Sequence, residues 1–434
     1  MNNAPQTRLA QVIGTIERIR HELDYPRTSL GRDGDVVGPP KAVLNNVRLI
    51  LENDPGFAGR FAFCAFRNII LWSPTIGGAP TEAFTDHSAD ALRVELATHW
   101  RLHIGRDVAL EAAGYVARLH SHHAVRAHLE ALPPWDGVER LDRLLPGYFG
   151  ARDCHLYRAI GAAWMVSAVA RVMASPTKVD TVLILRGTQG CGKSTFAKVL
   201  GGAWHKDTPL SIGDKDSYLS LRGAWIYELC ELAATRKKDV EAVKAFLTSE
   251  IDSVRLPYER MQTDLPRQCV FVGTTNESTF LNDPTGARRF WPVTVGRLDF
   301  TGFIRDRDQL WAEALYRYRE AEGRPEAWLL PQGLEAELAL AHEEVTTLDP
   351  WERQVDAYLD REGGIDVFRH AGLELAHIAN FMDVPVKDRT HHMENRLGAI
   401  LRARGWEKTR RRNAFGRHYV WMPPAIGGAQ DGEP

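Results

Sequence analysis

Gly187-Thr188-Gln189-Gly190-Cys191-Gly192-Lys193-Ser194 begins one residue after the apolar run Val182-Leu183-Ile184-Leu185, and this pairing constrains the fold more than any other stretch. The residues fit the pattern G-x-x-x-x-G-K-[S/T], a strand–loop–helix unit in which glycines let the backbone wrap a polyphosphate with its N–H groups aimed inward. Lys193 supplies a point charge for the β- and γ-phosphates, and the Ser194 hydroxyl is a ligand for Mg²⁺. A helix opening at about Ser194 and continuing through Thr195 turns its positive dipole end toward the same anion. An ordinary glycine-rich turn requires neither the buried strand before it nor the helix after it. The expected ligands of Gly187 through Thr195 are ATP and Mg²⁺.

With 434 residues, a net charge of −2 and 44% hydrophobic residues, the chain has room for two or three domains with proper cores. Those values exclude global disorder and a globally basic nucleic-acid binder. Cys64, Cys154, Cys191, Cys230 and Cys269 are odd in number and form no C-x-x-C pair, which argues against a disulfide framework or a zinc ribbon and suits a reducing compartment. The N-terminus lacks the apolar core of a signal peptide. The most apolar helix candidate, 159–170, is too short to span a bilayer and is flanked by Arg158 and Arg171. The expectation is a cytoplasmic protein without a membrane partner.

Patterning divides the chain into three. Residues 1–150 predict a mostly helical region with helices at 9–23, 92–104 and 124–132, a strand at 61–66, and a hinge at Pro133-Pro134-Trp135-Asp136-Gly137. Residues 151–330 alternate helices with strands near 182–185, 224–228 and 269–274, which reads as an α/β domain whose parallel sheet has covered faces. A linker at 322–347 leads to a small basic unit at 345–424. There, helices at 351–359, 373–382 and 392–404 precede a strand pair at 406–412 and 417–421, the pattern of a winged helix. From Pro385 to Trp421 ten basic residues face three acidic ones. That local excess is the footprint of phosphate contacts, with Arg410, Arg411 and Arg412 as the candidate DNA-binding run. Charge runs are also common on plainly solvated faces. Lys237, Lys238 and Lys244 are expected on such an outer face.

Ala224-Trp225-Ile226-Tyr227-Glu228-Leu229-Cys230-Glu231 is an apolar strand ending in acid. A nucleotide site needs a carboxylate there, to hold Mg²⁺ through water and to polarise the attacking water; Glu228 is the first candidate and Glu231 the second. Val270-Phe271-Val272-Gly273-Thr274-Thr275-Asn276 ends a second buried strand in an amide able to orient that water or sense the γ-phosphate, although an Asn there is also an ordinary turn former. Beyond it, Arg288 and Arg289 follow a Pro-Thr-Gly turn. Arginine has the planar fork and fixed charge that neutralise a transferring phosphoryl group, often from a neighbouring subunit.

Together these residues resemble a known family. Lys178-Val179-Asp180, the glycine loop, Glu228 to Leu232, Pro266-Arg267-Gln268-Cys269, Thr274-Thr275-Asn276 and the run from Asp283 to Val293 stand in the order seen in the virulence-associated protein E family, and Trp135 to Leu141 extends the likeness upstream. These are phage- and plasmid-borne ATPases similar to superfamily 3 replicative helicases. The resemblance implies an AAA+-like ATPase core, a hexameric ring with 1–150 as an oligomerisation region, and action on single-stranded or forked DNA during replication of a mobile element in a prokaryotic host. It also implies a primase or other replication partner. The first 120 residues show no primase-like carboxylate pattern, and Tyr227-Glu228 stands where many ATPases have Asp-Glu. In the helicases this family resembles, a hairpin before the second buried strand projects into the ring's pore. Arg255, Tyr258 and Arg260, ahead of a turn at about 261–263, offer charge for phosphates and an aromatic face for a base. A solvated hairpin whose arginines pair with Glu250, Asp252 and Glu259 is the plainer alternative. Three readings therefore stand: an ATP-driven helicase or translocase, a DNA-binding ATPase initiator or loader that unwinds nothing, and a small-metabolite kinase. The last leaves Arg288, Arg289 and the basic tail without a role.

Overall fold

The apolar run ahead of the glycine loop becomes one strand of a five-stranded parallel sheet. The computed structural model describes residues 4–26, 29, 38–210, 215–230, 240–255, 261–277, 287–346, 350–413 and 416–424. The chain divides into two units, one made of Met1–Ala234, Lys238–Asn276 and Arg289–Glu337, the other of Thr235–Lys237, Glu277–Arg288 and Leu338–Pro434.

The first unit opens with a small sheet of β1 (Phe61–Cys64), β2 (Ile69–Trp72), β3 (Glu82–Ala83) and β4 (Ser121–His122), ordered β3-β2-β1-β4. Helices Ala4–Glu22, Leu44–Asn53, Asp86–Trp100 and Arg106–Leu119 belong to this region, and Val47, Ile50, Leu92, Leu96 and Ala113 are completely buried in its core. The sequence expectation contains neither Leu44–Asn53 nor Arg106–Leu119. The latter buries Ala109, Ala112, Ala113, Val116 and Ala117.

The main sheet consists of β5 (Val182–Arg186), β6 (His205–Lys206), β7 (Ile226–Cys230), β10 (Val270–Thr275) and β11 (Phe290–Thr294), in the order β11-β5-β10-β7-β6 with every pairing parallel. Between β7 and β10 the chain forms an antiparallel hairpin, β8 (Ile251–Val254) with β9 (Thr263–Pro266). All six residues of β10 and the first four of β5 are buried, the continuous apolar run expected of a strand covered on both faces. Pro292 is tolerated because β11 is an edge strand. Adjacent strands β5 and β10 send their connections toward opposite edges, and in open α/β sheets ligands bind outside the carboxyl ends of strands at such a switch point.

Helix His155–Met173, longer than the expected 159–170, is buried nearly all round, as a helix apolar on every side must be. Its Trp164 indole N–H donates to the Phe271 carbonyl at 2.9 Å, and the Trp225 indole donates to the Ala168 carbonyl at 2.9 Å. Helix Phe300–Glu320 adds Trp311, stacked on Trp225 with centroids 4.1 Å apart and donating to the Leu200 carbonyl. Among the described residues no helix is long and apolar enough to cross a membrane. Two expectations need correction. Within the supposed linker at 322–347, Glu335–Val345 is a helix with Leu338 and Val345 buried, since its Glu, Ala and Leu residues are strong helix formers. Lys244, expected on an outer face, is buried; Lys237 and Lys238 lie outside the described residues.

In the second unit, helices Pro350–Arg361, Leu375–Phe381 and His391–Ala403 precede the antiparallel hairpin of β12 (Glu407–Asn413) and β13 (Gly416–Met422). Val355, Leu373, Ile378, Leu397, Leu401, Trp406 and Trp421 form its core. A Cβ at Gly398 would stand 2.8 Å from the Trp421 ring, so glycine is what lets helix His391–Ala403 lie on that indole.

Candidate functional site

The glycine loop is shaped by close approach of the segment after β11. A Cβ at Gly187 would lie 2.7 Å from the Val295 carbonyl oxygen, and one at Gly192 would lie 2.6 Å from Leu298 Cβ. Gly190 and Gly192 also hold φ of +80° and +102°, the left-handed region that disfavours other residues. The Leu298 N–H donates to the Cys191 carbonyl at 3.1 Å, and the Gly187 N–H to the Thr275 carbonyl at 3.3 Å. Helix Lys193–Gly201 then begins with Gly192 at its cap position, where no side chain bonds the first-turn amides.

Two side-chain clusters meet at the carboxyl ends of β5, β7 and β10. The Lys193 ammonium, only 8% exposed, donates to the carbonyls of Gly187 (2.8 Å) and Thr188 (2.9 Å) and to Asn276 Oδ1 (2.7 Å). Beside it, the Ser194 hydroxyl donates to Glu228 Oε1 at 2.6 Å. Glu228 is 1% exposed; its Oε1 also accepts from the Thr274 hydroxyl at 3.0 Å, and its Oε2 lies 3.2 Å from His205 Nε2. Burial would raise this carboxyl's pKa, but hydrogen bonds from His205, Ser194 and Thr274 outweigh it, and the net shift is downward. The buried acid is therefore held ionised, with its oxygens fixed by three neighbours.

Thus Lys193, Ser194, Glu228 and Asn276 come together. Thr188, Gln189 and Gly190 are exposed at the loop's tip, Cys191 is buried, and Thr195 is half-buried. Glu231 lies outside the described residues. The sequence expectation does not contain His205 and gives Thr274 no role of its own. A two-residue strand such as β6 has no periodicity to reveal His205, whereas Thr274 is signalled by its place at the carboxyl end of β10, two residues before Asn276.

The arginines go elsewhere. Arg289 Nε lies 3.7 Å from Asp180 Oδ2, and the next residue, Phe290, pairs with Val182 at the start of β5. Arg289 thus sits at the amino end of the strand whose carboxyl end carries the loop, roughly 15 Å away at strand rise. Arg288 is exposed. The expected hairpin before the second buried strand is present as β8–β9. Arg255 is exposed beyond β8, while Tyr258 and Arg260 lie outside the described residues. Asp252 is buried with Arg267, whose Nε donates to it at 3.0 Å and whose guanidinium lies over the Phe246 ring. In the second unit Arg410 is exposed, Arg411 donates to the His370 carbonyl, and the Arg412 side chain is outside the described set.

The expected hinge is a fastening. The Asp136 N–H donates to Gln309 Oε1 at 2.9 Å, the Trp135 ring packs on Tyr316, and completely buried Glu313 accepts from the N–H groups of Arg140 (2.6 Å) and Leu141 (3.1 Å). Arg140 hydrogen-bonds Asp136 and holds its pKa down to about 2. Residues 135–141 therefore lock onto helix Phe300–Glu320.

Residues 129–347, half of the chain, match the family model described as the virulence-associated protein E-like domain. No curated protein matches the sequence. Among solved structures, the apo C-terminal region (305–718) of NrS-1 overlaps with a TM-score of 0.40 at 14% identity, covering 68% of this chain and 78% of that one. Its A form overlaps with a TM-score of 0.41 at 12% identity and the same coverage. Overlap this loose bears on neither fold nor function.

Proposed function

The chain belongs to the virulence-associated protein E-like family, and on that premise we propose that it is an ATP-driven DNA helicase or translocase of a phage or plasmid replication module. In this reading it has a P-loop core of AAA+ type, a winged-helix-like tail and a ring of subunits around single-stranded DNA. One observation carries the proposal: the network in which Lys193 meets Asn276 and Ser194 meets Glu228 at the switch point of the sheet. Lys193 exchanges its loop carbonyls for phosphate oxygens, and the first-turn amides of helix Lys193–Gly201 face the same charge. Glu228, held by Thr274 and His205, orients water and accepts its proton. Asn276 positions that water beside the γ-phosphate.

Magnesium fits the donors present. Ser194 and Glu228 offer hard oxygens, and no cluster of three His, Cys, Asp or Glu side chains able to hold a metal occurs among the described residues. Mg²⁺ uses one or two protein oxygens with substrate phosphates and water rather than an all-protein cage. Ser194 and Glu228 would hold it, and it would supply positive charge to the transferring phosphoryl group. Because Arg289 lies far from its own loop, a phosphate-sensing arginine would serve the neighbouring subunit's nucleotide.

The test is strand displacement on forked DNA with ATP, beside ATP turnover with and without single-stranded DNA. The parent should displace the strand and turn over faster with DNA. Lys193→Ala should fold but do neither. Parental turnover in that variant refutes the site, and turnover without displacement in the parent points to an initiator or loader instead.

A further inference from the structure

The basic residues of the second unit look alike in sequence, but the structure sorts them by what they touch. Arg389 donates to Asn380 Oδ1 (2.6 Å) and to the Val384 carbonyl. Arg396 lies 4.0 Å from the Trp351 ring centre. Arg404 pairs with Asp356 at 2.9 Å and with Glu352 at 3.6 Å, and Arg402 donates to its own Gly398 carbonyl. Helix His391–Ala403, the element a helix-in-groove contact would use, therefore has its arginines engaged inside the unit.

The β12–β13 hairpin has two unlike faces. In the antiparallel register Arg411 stands opposite His418, and Thr409 opposite Val420. This face is tied down: Arg411 donates to the His370 carbonyl, His418 Nε2 lies 3.3 Å from Glu374 Oε1, and Val420 is buried. On the other face Lys408 opposes Trp421 and Arg410 opposes Tyr419. Trp421 is buried in the core, but two residues away Tyr419 is 58% exposed, with the Lys408 ammonium 4.5 Å from its ring centre. The Arg410 side chain is exposed and has no hydrogen bond or ion pair among the described residues.

We propose that the exposed part of this face is a single-strand contact, in which Tyr419 stacks an unpaired base while Lys408 and Arg410 hold phosphates of the same strand. An exposed ring between cations suits an unstacked base, and an intact duplex keeps its base faces covered. Lys408 and Arg410 are two strand residues apart, roughly 7 Å, so both reach one backbone. The inference rests on the DNA-acting reading above and names the contact and the form of nucleic acid.

The test uses the full chain and measures affinity for a labelled single-stranded oligonucleotide and for a duplex of equal length across a salt series. Tyr419→Ala should weaken single-strand binding roughly tenfold, as expected for one lost stack, with the salt slope and duplex affinity unchanged, and Tyr419→Phe should retain parental affinity. Lys408→Ala with Arg410→Ala should reduce the single-strand salt slope by about 1.4. A 5-iodouracil-substituted strand should photo-cross-link to Tyr419. Parental affinity in Tyr419→Ala, an equal loss in Tyr419→Phe, a parallel loss on duplex, or no cross-link at Tyr419 overturns the proposal. If the parent binds no nucleic acid, the DNA-acting reading falls with it; if it binds single strands regardless of Tyr419, this inference alone falls.

Discussion

Replacing Glu228 separates the chemistry of its carboxylate from its place in the fold. In Glu228→Gln the amide oxygen can take the Oε1 position and keep both hydroxyl donors, Ser194 at 2.6 Å and Thr274 at 3.0 Å. The amide nitrogen then faces His205 Nε2, which accepts if its proton sits on Nδ1. Neutral bonds replace charge-assisted ones, so the expected loss is about 1–2 kcal/mol of stability. Glu228→Ala instead strips all three partners of their acceptor. Each buried orphan costs about 1–3 kcal/mol, and exposed Ser194 recovers water, so the total is about 3 kcal/mol. Turnover should behave differently: removing a general base costs about 10²- to 10⁴-fold, while nucleotide binding survives in the glutamine variant. Denaturant melts, nucleotide binding and ATP turnover on the two variants make the comparison. A glutamine variant that hydrolyses ATP within a few-fold of the parent, or that cannot bind it, refutes the assignment. The pH dependence carries a sign. Because the folded carboxyl's pKa is shifted downward, its stabilisation is present above the ordinary glutamate value of about 4.3 and is lost as pH falls through the lower folded value. The stability gap between parent and Glu228→Gln should therefore shrink in acid.

Asp252→Asn should destabilise the first unit by about 3 kcal/mol, because removing the charge leaves buried Arg267 without its ionic partner at the base of the β8–β9 hairpin; a urea midpoint indistinguishable from the parent's would show the pair is dispensable. Mixing Lys193→Ala with an Arg288→Ala/Arg289→Ala double variant should restore part of the turnover that neither has alone, as Arg289 lies at the opposite end of β5 from its own loop. Failure of the mixture while the protein stays monomeric with ATP and Mg²⁺ would argue for a self-contained site.

The parts of the fold visible in sequence are those whose burial is periodic or continuous. β5, β7 and β10 read as apolar runs because sheet and helices cover both their faces, and the three helices and strand pair of the second unit appear within a few residues of their expected positions. β6 and β11 escape for different reasons. β6 has two residues and takes its place from pairing with β7 alone. β11 contains a proline and follows two arginines, features that argue against a strand until it proves to be at the sheet's edge.

Chemistry is legible in sequence only where position along the chain implies position in space. Parallel strands bring their carboxyl ends to one side of a sheet, so the glycine loop after β5 meets the amide that follows adjacent β10 and the acid on β7, one strand further along. Lys193, Ser194, Glu228 and Asn276 can therefore be grouped from their places in the chain alone. Arginine follows no such rule. Arg267, Arg289, Arg404 and Arg410 are chemically identical, yet one is buried on Asp252, one sits 3.7 Å from Asp180, one bridges two carboxylates across its unit, and one faces solvent. A long flexible stem lets each guanidinium take whichever acceptor the fold places within reach. Counting basic residues therefore gives the sign of a surface without its location, and the search for a nucleic-acid contact moves from the triplet Arg410-Arg411-Arg412 to one face of a hairpin.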